Sequence, residues 1–160
     1  MGALGPMEIL FLLAPLAVVP LGLRLAARPQ DATRALWAAR RLQPWAALAV
    51  VGSFLLGRRG PAAALLASAW LPVTLLVALH GWQRLRGGAR PVAEVAVNAG
   101  CLMLPIGGGW LVLSRLGVIV LGFEEPIPLL TAVHFHYAAF ATLVLVGLAG
   151  RFAGEGAVYR

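Results

Sequence analysis

The chain has 160 residues, 61% of them hydrophobic and only 12% charged, with a mean hydropathy of +0.87. Soluble domains carry about 25% charged residues, so this composition excludes an ordinary soluble globule and indicates a membrane protein. The net charge is +7, yet the arginines punctuate apolar runs and form no basic stripe interleaved with aromatics, which excludes a nucleic-acid-binding module.

At ~20 residues per span the length accommodates about five transmembrane helices. The first is predicted near 7–23. It contains Pro15 and Pro20, which membrane helices tolerate where neighbours satisfy the freed carbonyls. No Lys or Arg precedes Arg24, so this run is read as a span and not as a signal peptide. Residues 24–43, with Asp31 and a set of arginines, are predicted to lie at the interface as an amphipathic piece. The second span, near 42–57, is short against the usual ~17 to 25 residues, and would tilt little, thin the bilayer or borrow length from Leu36 to Arg41. The remaining spans are predicted near 61–82, 91–113 and 126–150. Several start with proline at or near the first helical position, where its missing N–H costs nothing. The single cysteine, Cys101, lies in an apolar run and supports neither a disulfide framework nor a cysteine metal motif. No internal repeat is present. The expectation is an all-α polytopic membrane helix bundle, one domain over residues 1–160.

The arginines orient it. With five spans, Arg24, Arg28, Arg34, Arg40, Arg41, Arg84, Arg86, Arg90, Arg151 and Arg160 fall on one side, against Arg58, Arg59 and Arg115 on the other. The positive-inside rule then predicts the N-terminus out and the C-terminus in, for a multi-pass protein of the inner (cytoplasmic) membrane.

Chemistry concentrates at the last span. Glu124 and Glu125 are expected at its outer mouth, either capping the helix that follows Pro126 or serving a site. His134 comes about eight residues deeper, ~12 Å along the axis, where ionisable groups are costly and face the bundle interior. His134 and His136 are two residues apart, about 200° around a regular helix, so they cannot share one metal ion; no metal site is expected. Thr131, His134 and Tyr137 share a stripe, whereas His136 lies with Ala132, Val133 and Phe140. Interhelical hydrogen bonding is the alternative reading of the two histidines. In the fourth span Glu94, Asn98, Cys101 and Pro105 recur on one helical face. Pro105, three glycines and Trp110 then predict a kink and a close approach to a neighbour or ligand. Glu8 is placed to interact with its own helix dipole or to reach the Glu124 and Glu125 layer, and His80 and Trp82 are read as interfacial anchors.

The run from Asn98 to Phe140, ending in "GFEEPIPLLTAVHFHYAAF", resembles the membrane segment of YndJ-like proteins. Their "GF…LTA-HFHYAGF" pattern falls here on Gly122, Phe123, Leu130, Thr131, Ala132, His134, Phe135, His136, Tyr137 and Ala138. This chain has Ala139 where glycine is usual, and no soluble extension is expected after the bundle. The resemblance implies a fold and a site and not an activity. "AVHFHYAAF" is also similar to the histidine-bearing helix of haem-copper oxidases, whose two histidines ligate different haems. The chain has too few spans and histidines to complete such a centre, which leaves haem as the alternative to no cofactor. In size and in its membrane-embedded acidic residues the chain is further similar to small membrane terpene and lycopene cyclases, by analogy alone.

The reading that follows is an acid/base enzyme of cyclase or isomerase type acting on a lipophilic, isoprenoid-like substrate. Burial favours a neutral carboxyl, which makes Glu124 or Glu125 the proton donor, with His134, His136 and Tyr137 completing the catalytic set. Asn98, Trp110, Arg115 and Thr131 would line the substrate cavity, where an aromatic face can stabilise a developing cation. The expected partners are the lipid bilayer and a lipophilic small molecule, with no nucleic acid. Transport of protons or a small solute, with a homo-oligomer supplying further helices, is the second reading. A haem- or metal-binding or structural subunit is the third.

Overall fold

The computed structural model describes residues 4–28, 32–87 and 91–153. They form five long helices, with no strand among the described residues beyond an isolated bridge between Val120 and Phe123. Helix α1 is Pro6–Ala26, α2 Arg34–Leu55, α3 Pro61–Arg86, α4 Val92–Leu116 and α5 Ile127–Ala153. Four of these, α1, α3, α4 and α5, are long and apolar enough to cross a membrane. Helix α2 has 22 residues, or ~33 Å of length, but its first turns carry Arg34, Arg40 and Arg41.

Helix α2 decides between the alternatives for the short second span and corrects the expectation of a separate interfacial piece. The short span near 42–57 is the second half of a longer helix, because Pro44 does not end it. The interfacial piece at 24–43 does not form separately. Arg24 lies in the last turn of α1 and residues 34–43 in the first turns of α2, whose start is capped by Thr33 Oγ1 accepting from Leu36 N at 3.2 Å. Asp31, Arg90 and Arg160 lie outside the described residues.

The helices form a ring in which each packs against its sequence neighbours and α5 closes onto α1. Glycines permit the closest approaches. A Cβ on Gly81 of α3 would meet the Asn98 carbonyl of α4 at 2.7 Å, and one on Gly147 of α5 would meet the Ala93 carbonyl of α4 at 2.6 Å. Only hydrogen fits there, so α4 is gripped tightly from both sides.

Two helices contain a wide π-helical turn, Ala14–Val18 in α1 and Phe135–Ala141 in α5. The first follows from its prolines. In i→i+5 register the Pro15 carbonyl would take the N–H of residue 20, which is itself a proline without one. Gln43 Nε2 of α2 donates to that carbonyl at 2.6 Å instead. A neighbouring helix thus satisfies the group that the proline leaves open.

Candidate functional site

The π turn of α5 decides where the two histidines point. His136 is fully buried, whereas His134, expected to face the bundle interior, is exposed on the outer surface of the ring with its own ring 5.7 Å from that of Phe135; the expectation fails because the face of α5 that carries His136, Ala132 and Phe140 is the one that packs inward. Around His136 the ring is complete. Trp70 of α3 donates its indole N–H to Nε2 at 3.0 Å, and Nδ1 lies 2.8 Å from the Ala132 carbonyl of its own helix. Phe11 of α1 meets the imidazole edge-on at 5.2 Å and in turn packs on Phe54 of α2 at 6.0 Å. On α4, a Cβ on Gly107 would sit 2.7 Å from Nδ1. Since indole can only donate and a carbonyl can only accept, the ring must be the neutral tautomer with its proton on Nδ1. Both nitrogens are engaged, so His136 offers no lone pair to a metal. No group of three His, Cys, Asp or Glu suited to a metal ion occurs among the described residues.

The other expected site residues of the last two helices do not join His136 in a cavity. Tyr137 donates its hydroxyl to the Leu10 carbonyl at 2.9 Å and ties α5 to α1. Thr131 donates to Ile127 within its own helix. Asn98 is fully buried on α4 and Trp110 is partly buried against the core. His80 is buried between helices, with Nδ1 2.9 Å from Thr33 Oγ1 at the start of α2, whereas Trp82 is exposed with the Arg86 guanidinium over its ring.

Charge gathers instead at the two ends of the ring. Helix α4 carries a buried Glu94 in its first turn and a buried Arg115 in its last, 21 residues or ~32 Å apart, close to the thickness of a hydrocarbon core. At the Glu94 end three arginines converge on one carboxylate: Arg84 Nη2 at 2.7 Å, Arg151 Nε at 2.7 Å and Arg28 Nη2 at 3.3 Å.

At the opposite end Arg115 is held by α2. It donates from Nε to Ser53 Oγ at 3.1 Å and from Nη2 to the Ser53 and Arg58 carbonyls at 2.8 and 3.3 Å, with its guanidinium 4.5 Å over the Phe54 ring. Gly57 and Gly60, both at positive φ, turn the chain so that Arg58 and Arg59 come to the same end. A cavity of about 370 Å³ there is lined by Glu8, Phe54, Gly57, Arg58, Arg59 and Arg115. Beside it a second, of about 360 Å³, is lined by Arg59, Gly117, Val118, Ile119, Glu124 and Glu125. Arg59 belongs to both. Its Nη2 lies 3.5 Å from Glu125 Oε2, but both Glu125 oxygens are shielded from solvent with no hydrogen bond. Glu8 turns back to accept from Gly5 N at 2.6 Å while also lining the first cavity.

Of the expected set, the structure therefore places Glu124 and Glu125 on one of these adjoining cavities and Arg115 on the other, and leaves His134, His136, Tyr137, Asn98, Trp110 and Thr131 off both. Sequence reasoning used Arg58 and Arg59 only for topology. Their signal was present: two adjacent arginines between glycines, on the side of the bundle with few positive charges.

Comparison with known proteins agrees with this membrane architecture. The model of the YndJ-like protein family matches residues 9–160. The chain is 36% identical over 83 residues to the uncharacterized membrane protein YndJ of Bacillus subtilis (strain 168), an alignment covering 51% of this chain and 15% of that protein. The chain thus spans well under two thirds of that relative's length. No solved structure matches. The chain belongs to the YndJ-like family and is an integral membrane protein.

Proposed function

We propose that this YndJ-family chain is an acid/base enzyme of cyclase or isomerase type, acting on a lipophilic, isoprenoid-like substrate at the Arg58, Arg59 and Arg115 end of the ring. The observation that carries this reading is Glu125: a carboxylate shielded from water, with both oxygens free of hydrogen bonds, beside a cavity and in loose contact with one arginine. Such a group has lone pairs uncommitted and can take a proton from a bound substrate and return it. Arg115, fixed by Ser53 and Phe54, gives the adjoining cavity a rigid positive wall, while the exposed Arg58 and Arg59 can close on a polar head. The exposed Leu55, Leu56 and Ile127 beside this end suit the apolar remainder of the molecule. The arginine distribution supports placing this end on the outer face of the cytoplasmic membrane.

In this reading Glu125 transfers the proton, Arg59 orients it, and His136 and Tyr137 hold the helices that carry them. Lipid extracts of membranes bearing the intact chain, Glu125→Gln, Arg59→Ala and His134→Ala provide the test. A product lipid is expected with the intact chain and with His134→Ala, and to fall by about 100-fold or more in Glu125→Gln, the usual contribution of a general acid or base. Identical lipid profiles with and without the chain sink the reading. Loss in His134→Ala with retention in Glu125→Gln moves the chemistry to the last helix.

A further inference from the structure

In the half of the ring nearer Glu94, a groove lies between α1 and α2 on the outer surface. Its volume is about 480 Å³, and its walls are Leu16, Leu21, Pro44 and Leu48, with Arg24 and Gln43 at one end. A smaller hollow of about 160 Å³ continues from there past Arg24 and Arg40. The two halves differ in chemistry: one is apolar over residues 16–21 and the other cationic. Arg40 uses one nitrogen on the Leu23 carbonyl at 3.0 Å, Gln43 uses its amide N–H on Pro15, and neither Arg24 nor Arg40 meets a carboxylate among the described residues.

The depth of the cationic half is marked independently. Trp37 and Trp45 are 58% and 73% exposed on α2 and bracket Arg40 and Gln43 over ~12 Å of helix. Arg41 stacks over Trp37 at 3.9 Å. Exposed tryptophans on a membrane helix sit at headgroup level. Two arginines that meet no carboxylate among the described residues, above an apolar slot that runs toward the bilayer interior, complement an anionic head joined to an acyl chain.

We propose that this groove between α1 and α2 is a binding site for an anionic phospholipid, with Arg24 and Arg40 on its phosphate and an acyl chain between Leu16, Leu21 and Leu48. Basic pockets between transmembrane helices hold such headgroups because the phosphate is desolvated against fixed guanidinium donors. The site is separate from the Glu125 cavities at the other end of the ring, so its test does not depend on them.

Native mass spectrometry of the full chain released from nanodiscs made of equal phosphatidylglycerol and phosphatidylcholine tests this. Phosphatidylglycerol is expected to be retained in excess, and Arg24→Ala and Arg40→Ala each to lower that excess about fivefold, in line with the attraction of one basic residue at a charged surface. Ala17 also lines the apolar slot, so Ala17→Trp, which fills it and keeps both arginines, is expected to lower retention as well, whereas Arg24→Lys with Arg40→Lys keeps most of it. Equal retention of the two lipids by the intact chain overturns the proposal, as does an unchanged excess in the double alanine variant. Displacement of phosphatidylglycerol by millimolar inorganic phosphate overturns it too, since that identifies a site for a soluble anion.

Discussion

His136 shows how a polar residue deep in a membrane bundle is made inexpensive. A neutral imidazole with one donor and one acceptor needs one acceptor and one donor, and Ala132 and Trp70 supply them at 2.8 and 3.0 Å. Removing one partner strands the other. Trp70→Phe leaves the Nε2 lone pair buried without a donor, and should lower stability in detergent by about 1–3 kcal/mol, the desolvation cost of an orphaned polar group. His134→Ala, two positions away on the exposed surface, should change it by about 0.5 kcal/mol or less. Thermal unfolding of the two variants side by side checks this, and equal destabilisation would show that burial does not separate the two histidines. The sequence carried the split between them, because residues two apart on a helix point in different directions. Depth along the helix pointed to His134 as the inward one, and the structure reverses this: His136 faces inward because it finds the indole of Trp70, 66 positions away, which no local spacing reveals.

At the scale of the helix, the irregular turns of α1 and α5 depend on neighbouring helices for their polar groups. Gln43→Leu should destabilise the fold by about 1–3 kcal/mol by orphaning the Pro15 carbonyl. Hydrogen exchange should speed up in α1 around residues 14–20 and not in α5; uniform exchange across all five helices would argue against this local role. Helix α4 depends on its glycines in the same way. Gly107→Ala puts a methyl 2.7 Å from His136 Nδ1, so either the imidazole or the helix must shift. The expected result is a loss of stability of about 1–3 kcal/mol, typical of overpacking, measured as a lower unfolding midpoint. An unchanged midpoint would mean that α4 and α5 can separate freely. The run of glycines after Pro105 predicted a close approach from sequence, and the approach is there, with an imidazole as the group that needs the space.

For the whole molecule, α4 joins two buried charge clusters at opposite ends. Glu94 at one end is the counter-ion for three arginines, and Arg84, itself 4% exposed, depends on it. Glu94→Gln should cost about 3–5 kcal/mol, the usual result of removing one partner of a buried pair, seen as loss of folded protein in detergent; folded yield equal to that of the intact chain would show the arginines to be solvated. Orientation has its own test in a Cys101→Ser background. Ile119→Cys should react with an impermeant thiol reagent from outside intact cells and Gln83→Cys only after lysis, and the reverse pattern would overturn the arginine-based topology. Length, hydropathy and the spacing of prolines and arginines determined that this is a multi-pass helical membrane protein and roughly where its helices run. They do so because a bilayer demands ~20 apolar residues per crossing wherever a segment sits in the chain. The neutral His136 and the meeting of Arg58, Arg59 and Arg115 with Glu8 and Glu125 were decided by tertiary structure alone. Each rests on partners far apart in sequence, and a polar group in lipid takes its role from the partner it finds there.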